Sequence, residues 1–310
     1  MSSASNISRR LWFKQSSIAA AACSAIATSG STPALANWLT SDASLKGKRL
    51  LFFTKSSGFQ HSVIAREGDA PSYADRIMLA LAKEHEFEVE CTKDGSVFDG
   101  DLDKYDAIFF MTTGDLTQVG TDGHPAMSPQ GKQRMLDAIS AGKGFMGCHC
   151  ASDTFHSAGP ANENQAKPDP YIAMLGGEFI RHGRQQEARM LVSSAKFPGL
   201  EKVSDQFKLN EEWYSLKNFA PDMHVILVTE TEGMVDADYD RPKYPGTWAR
   251  KHGEGRVFYT SMGHREDVWS NDIFKNLVIG ALQWTTCVVD ADLTPNLKEV
   301  TPGATTMPKL

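Results

Sequence analysis

The chain has 310 residues, with 32 Lys and Arg against 38 Asp and Glu and a formal net charge of −6. That acidic balance argues against nucleic acid or anionic membrane as the main partner, since both attract cationic surfaces. Past the N-terminal leader, no stretch approaches the roughly 18 consecutive apolar residues of a membrane span, so no membrane partner is expected for the mature form.

The leader comes first. Ser8-Arg9-Arg10-Leu11-Trp12-Phe13-Lys14 has the form of a twin-arginine export signal, followed by an Ala-rich apolar run from Ser17 to Ala27. Ala34-Leu35-Ala36 supplies the small-x-small pattern that a signal peptidase reads. Residues 1–36 are expected to be removed, leaving a periplasmic or secreted protein. Residues 37–47 read as a linker, 48–289 as one domain, and 290–310, with three prolines, as a peripheral tail. Beyond the leader lie Cys91, Cys148, Cys150 and Cys287; no disulfide scaffold is spelled by their spacing, and four buried thiols are expected.

From Lys48 onward, short apolar runs alternate with amphipathic stretches, as in a parallel sheet covered by helices. Arg49–Thr54 is a buried first strand, Pro71–Glu86 a helix, Phe87–Thr92 a second strand and Ala107–Met111 a third. Ser128-Pro129 is a capping serine with proline at the first helical position, and that helix runs to Gly142. Gly144–Gly147 is a short fourth strand. Further strands are expected at Glu187–Val192, Val225–Thr229, Thr247–Arg250 and Arg256–Thr260, with a closing helix from Asp272 to Trp284. Ser152–Asp169 and Gly233–Gly246 read as long loops.

In open parallel sheets, ligands sit beyond the carboxyl ends of the strands, where strand order reverses. The loops after the first, third and fourth strands should therefore meet. They carry Ser57-Gly58-Phe59-Gln60-His61, Thr112-Thr113-Gly114-Asp115 and Gly147-Cys148-His149-Cys150-Ala151.

These blocks carry a family resemblance. Lys55 to Ile64, Gly144 to Asp153, Leu175 to His182, Glu211 to Tyr214 and Gly255 to His264 follow in order the motifs of ThuA-like (trehalose-utilisation) proteins. That family is a branch of the class I glutamine amidotransferase-like superfamily. The resemblance implies a flavodoxin-like, three-layer α/β sandwich with a mainly parallel central sheet. Relatives with amidotransferase activity keep a nucleophilic cysteine in a Gly-x-Cys turn and a His-x-Glu pair near the C-terminus. Here Gly147-Cys148-His149 puts histidine at the nucleophile position, while His264-Arg265-Glu266 retains the second half. Glutaminase chemistry is therefore not expected, and Cys148 and Cys150 are expected to pack beneath the sheet.

His149, His264 and Glu212 are the candidate catalytic residues. His149, His182 and His264 are candidate ligands for a divalent metal such as zinc, because neutral imidazoles with a carboxylate suit such an ion. His61, Asp115, Trp213, Tyr214 and Trp248 are candidates for binding a small-molecule carbohydrate, the aromatics by stacking on sugar rings. The resemblance implies that substrate class, in the catabolism of disaccharides or keto-sugar derivatives. A non-catalytic periplasmic sugar-binding protein is the alternative reading, and a cysteine-dependent hydrolase a third. A homo-oligomer is left open.

Overall fold

The computed structural model describes residues 43–309, so the expected leader, residues 1–36, and residues 37–42 of the expected linker lie outside the described residues. In chain order the elements are β1 (Arg49–Phe53), α1 (Tyr73–Glu84), β2 (Glu88–Thr92), β3 (Ala107–Phe110), α2 (Pro129–Ser140) and β4 (Gly144–Cys148). Next come α3 (Pro170–Leu175), β5 (Glu178–His182), β6 (Gln186–Val192), β7 (Gln206–Glu211), β8 (Tyr214–Lys217) and β9 (His224–Glu230). The chain ends with β10 (Tyr244–His252), β11 (Gly255–Thr260), α4 (Glu266–Trp269), α5 (Asp272–Thr285) and α6 (Leu297–Val300).

Strands β3 and β4 are buried throughout and β1 nearly so, as their unbroken apolar sequences require when helices cover both faces. Helix α1 opens on a reciprocal capping box, in which Ser72 accepts from the Asp75 amide and Asp75 from the Ser72 amide. Helix α2 begins at the expected Ser128 cap with Pro129 behind it. Helices α1, α4 and α5 touch in series, and α2 meets α3, as two covering layers would.

The main sheet has nine strands in the order β2-β1-β3-β4-β11-β10-β9-β6-β7. Neighbours from β2 to β11 pair in parallel and give the 2-1-3-4-5 order of flavodoxin-like folds. The remaining strands pair antiparallel, so the parallel half continues into a wing of mixed character. Although β7 lies at the far end of that order, it touches α4, so the wing curls back over the parallel half.

Six elements were not expected: α3, β5, β7, β8, α4 and α6. Strand β7 alternates exposed and half-buried residues on an edge, and β5 and β8 pair only with each other in a separate two-stranded sheet. The segment after Asp290 is packed rather than peripheral. Leu297 and Ala304 are buried, Asn296 accepts from the Val225 amide, and the Ala304 carbonyl accepts from Arg241. The expectation of four buried thiols holds for Cys148 and Cys150, but Cys91 is half-buried and Cys287 exposed.

Glu178 ties the Ser152–Asp169 loop to this frame. It is 1% exposed and accepts from the Ser157 amide and hydroxyl, from Asn218 and from His156, with Lys217 3.8 Å away. Burial opposes the Glu178 anion, but these partners prevail and hold its pKa down to about 2. Hydrogen bonds from Asp153 and Glu178 raise His156 to about 9. The depressed carboxylate lends stability above its unfolded pKa, which is lost as pH falls from about 4.5 toward 2. The raised imidazole lends stability below its unfolded pKa, which is lost as pH climbs from about 6.5 through 9. The gap in melting temperature between wild type and a Glu178→Gln, His156→Gln double variant should therefore be widest near neutral pH and narrow toward both extremes. A gap between them that does not change with pH would contradict this linkage.

Candidate functional site

Strand order reverses between β1 and β3, and the carboxyl ends of β1, β3, β4 and β11 share one edge. The loops after β1 and β3 are zipped together: the Ser57 amide donates to Thr113, and the Gly58 amide to the Thr113 hydroxyl. Gly114 makes this approach feasible. Its φ is +74°, and a β-carbon there would lie 2.8 Å from the Gly58 nitrogen.

His149 follows β4 directly with φ 43°, a left-handed conformation that strains a residue with a side chain by about 1–2 kcal/mol. Tyr259 holds the turn by donating to the His149 carbonyl at 2.7 Å, and Ser152 adds its hydroxyl at 3.2 Å. The His149 Nδ1 lies 3.2 Å from the Ser261 carbonyl, which can only accept. Nδ1 therefore carries the proton, and Nε2 presents its lone pair to the crevice.

Four groups converge there. His61, His149, Glu212 and His264 each offer a ligand atom, all within 4.8 Å of one another. His264 Nδ1 is 3.2 Å from His149 Nε2 and 3.1 Å from Glu212 Oε2, and His149 Nε2 is 3.6 Å from that oxygen. Donors around a tetrahedral zinc ion, with bonds near 2.0–2.1 Å, stand about 3.3 Å apart, so the set fits such an ion. The His61 Nδ1 is buried without a hydrogen-bond partner, a second sign that this pocket is built around something more than protein.

The same distances suit a shared proton. Arg265 donates to the Gln185 amide oxygen at 2.6 Å, which turns the Gln185 nitrogen toward His264 Nε2 at 2.9 Å. Without an ion, His264 then carries its proton on Nδ1, facing Glu212 and His149; ligating a metal through that nitrogen requires the proton to leave. Burial disfavours the His264 cation, but Glu212 outweighs it and raises the pKa above the ordinary histidine value. Burial likewise opposes the Glu212 anion, yet His149 and His264 hold it well below the usual carboxylate range. His61 goes the other way: burial first, then the neighbouring imidazoles, push it down to about 2, so it is neutral and ready to ligate.

The other expected residues divide. Tyr214 belongs to the site, its ring centroid 4.1 Å from that of His149 and its hydroxyl 3.5 Å from His61 Nε2. His182 stands at the rim, half-exposed, with Nδ1 3.5 Å from the second Glu212 oxygen. It lies outside the four-residue group, and His61 takes the place expected for it as a ligand. Trp213 and Trp248 are fully buried, their indoles donating to the Gln186 and Leu175 carbonyls, which leaves neither ring a face for a sugar. Asp115 is occupied within its own turn, accepting from Thr117 and Gln118.

Glu266 is not the partner of His264. It accepts from Ser62, and Glu212 supplies the carboxylate instead. Cys148 and Cys150 are fully buried, and burial drives both thiols well above the usual range, which disfavours the reactive thiolate form.

Sequence reasoning missed Glu211. Its side chain is fully buried and accepts the amides of Glu212, Gly263 and His264 at 2.8, 2.8 and 3.0 Å. One carboxylate thus sets the positions of both Glu212 and His264. Burial raises its pKa, against the pull of the nearby imidazoles and amides. A charged residue at the end of a strand, next to a candidate ligand, was the available signal.

A putative ThuA-like protein from Bacteroides uniformis superposes with a TM-score of 0.56 at 18% identity, covering 84% of this chain and 98% of that one. A putative ThuA-like protein from Parabacteroides merdae gives 0.53 at 16% identity, covering 86% and 98%. At these identities the likeness concerns the fold. No curated protein matches the chain. The ThuA family model, described as trehalose utilisation, matches residues 49–285, which takes in every residue of the cluster, and the chain belongs to that family.

Proposed function

We propose that the crevice holds a divalent metal ion through His61, His149, Glu212 and His264, and that the protein is an enzyme acting on a carbohydrate or keto-sugar derivative. The observation that carries this is the meeting of three imidazoles and one carboxylate at the fold's ligand-binding edge. The family description supports a carbohydrate-related role. Such an ion, when bound, polarises a sugar oxygen or lowers the pKa of a water.

The chain's own residues have separable tasks. His149 is held as an Nε2 lone-pair donor by Ser261, and Tyr214 covers its ring and keeps water from that side. The second oxygen of Glu212 faces His182, whose Nδ1 lies 3.0 Å from the Gly183 carbonyl. That leaves the His182 Nε2 at the rim to take or give a proton. Export rests on the Arg9-Arg10 leader alone, and a homo-oligomer is open to direct mass measurement.

Elemental analysis of tag-free protein tests the metal reading, with about one equivalent per chain expected. Chelation should lower the melting temperature, since an ion at a hundredfold its Kd contributes about 2.7 kcal/mol. Protein that neither retains metal nor binds added zinc in the micromolar range would sink the reading.

A further inference from the structure

Phe59 is 70% exposed, and isolated exposure of this kind is ordinary on a protein surface. Its setting is not. The backbone beneath it is pinned, because the Thr113 hydroxyl donates to the Phe59 carbonyl at 2.9 Å while accepting the Gly58 amide. Thr121 donates to the Gly58 carbonyl on the other side. The ring is thus presented by a braced loop rather than a free one.

Its position is also specific. The Phe59 ring stands edge-on to His61, with centroids 5.1 Å apart and planes at 89°. His61 in turn lies 4.9 Å from His149 and 5.1 Å from His264, ring to ring. The phenyl ring therefore packs directly against one member of the cluster, His61, whose Nδ1 is buried without a hydrogen-bond partner. Polar side chains of His182, Gln185 and Arg265 stand around the same cluster.

A sugar ring has that combination of surfaces: a face of C–H groups and a rim of hydroxyl and carbonyl oxygens. The C–H face matches an aromatic plane, and the rim matches hydrogen-bonding side chains. We propose that Phe59 is the platform on which the substrate's sugar ring stacks, so that the ring's oxygens reach the His61–His149–Glu212–His264 cluster. This rests on the carbohydrate reading above and adds the subsite that would confer selectivity for a cyclic sugar over an open-chain polyol.

The test is calorimetric titration of trehalose, and of its mono-ketone, into zinc-loaded full-length wild type, Phe59→Ala and Phe59→Trp. Phe59→Ala should weaken sugar binding about tenfold. Phe59→Trp should match wild type or exceed it. Zinc affinity and melting temperature should change little across the three, since the ring is mostly exposed and contributes no ligand atom. Equal sugar affinity in wild type and Phe59→Ala would overturn the platform while leaving the carbohydrate reading intact. A Phe59→Ala variant that instead changes the oligomeric mass would overturn it in favour of a contact between copies. A wild type that binds zinc but neither sugar would overturn the carbohydrate reading, and the platform with it.

Discussion

Replacing His149 by alanine is expected to strip the metal and lower sugar turnover by about 10²–10⁴-fold, the range for loss of a group that handles a proton. Loss of affinity for zinc should exceed the 10- to 100-fold that outer partners of a ligand contribute, because Nε2 faces the cluster directly. Its backbone offers an internal control. At φ 43° both histidine and alanine are strained, whereas glycine is not. His149→Gly should therefore be as stable as His149→Ala or more so, by about 1 kcal/mol, while losing metal and activity equally. Melting temperature, metal content and turnover of an oxidised disaccharide, measured on both variants, decide the matter. Variants with wild-type metal content and turnover would remove His149 from the chemistry.

Glu211 should produce the largest loss of stability in the site. Glu211→Ala leaves three backbone amides, those of Glu212, Gly263 and His264, without an acceptor in a dry interior. At about 1–3 kcal/mol for each stranded donor, urea unfolding should register a loss of several kcal/mol. Glu211→Gln should not rescue it fully, since an amide nitrogen would face a backbone N–H. Glu212→Gln separates the two roles: it should unfold within about 1 kcal/mol of wild type, yet bind zinc far more weakly. Glu211→Ala with near-native stability and full metal content would show that the carboxylate positions nothing.

The parallel half of the sheet was legible because burial on both faces leaves an unmistakable mark. Leu50 to Phe53 and Ala107 to Phe110 are unbroken apolar runs, and the Ser128-Pro129 start of α2 is a purely local signal. Three strands of the wing, β6, β9 and β10, were legible as well, but Gln206 to Glu211 on its edge and Tyr214 to Lys217 in the separate two-stranded sheet are short and mix polar with apolar residues. The site split along the same line. His149 and His264 could be inferred from strand ends, and His61 from the loop after β1. The choice between His61 and His182 as the fourth group depends on where β5 and β8 fall, which no local pattern encodes. The aromatics were misjudged for a related reason: Trp213 and Trp248 look like sugar-stacking candidates until their indole hydrogens are found paired with backbone carbonyls.

The curl that brings β7 onto α4 bears on the order in which the molecule can assemble. The strand ends of the parallel half alone would present His61, His149 and His264, three imidazoles with no counter-charge among them. Glu212 arrives only when the wing has wrapped, and nearly the whole domain lies between His61 and His264 in the chain. Closing so long a loop is entropically unfavourable until distant contacts form, which places the completed cluster late in folding. A chain whose wing has not docked would have imidazoles but no carboxylate, and so only a weak hold on any cation. Ion capture would then act as a latch that engages only on the finished fold and slows its reopening, so that chelated protein should unfold faster than metal-loaded protein while refolding at nearly the same rate.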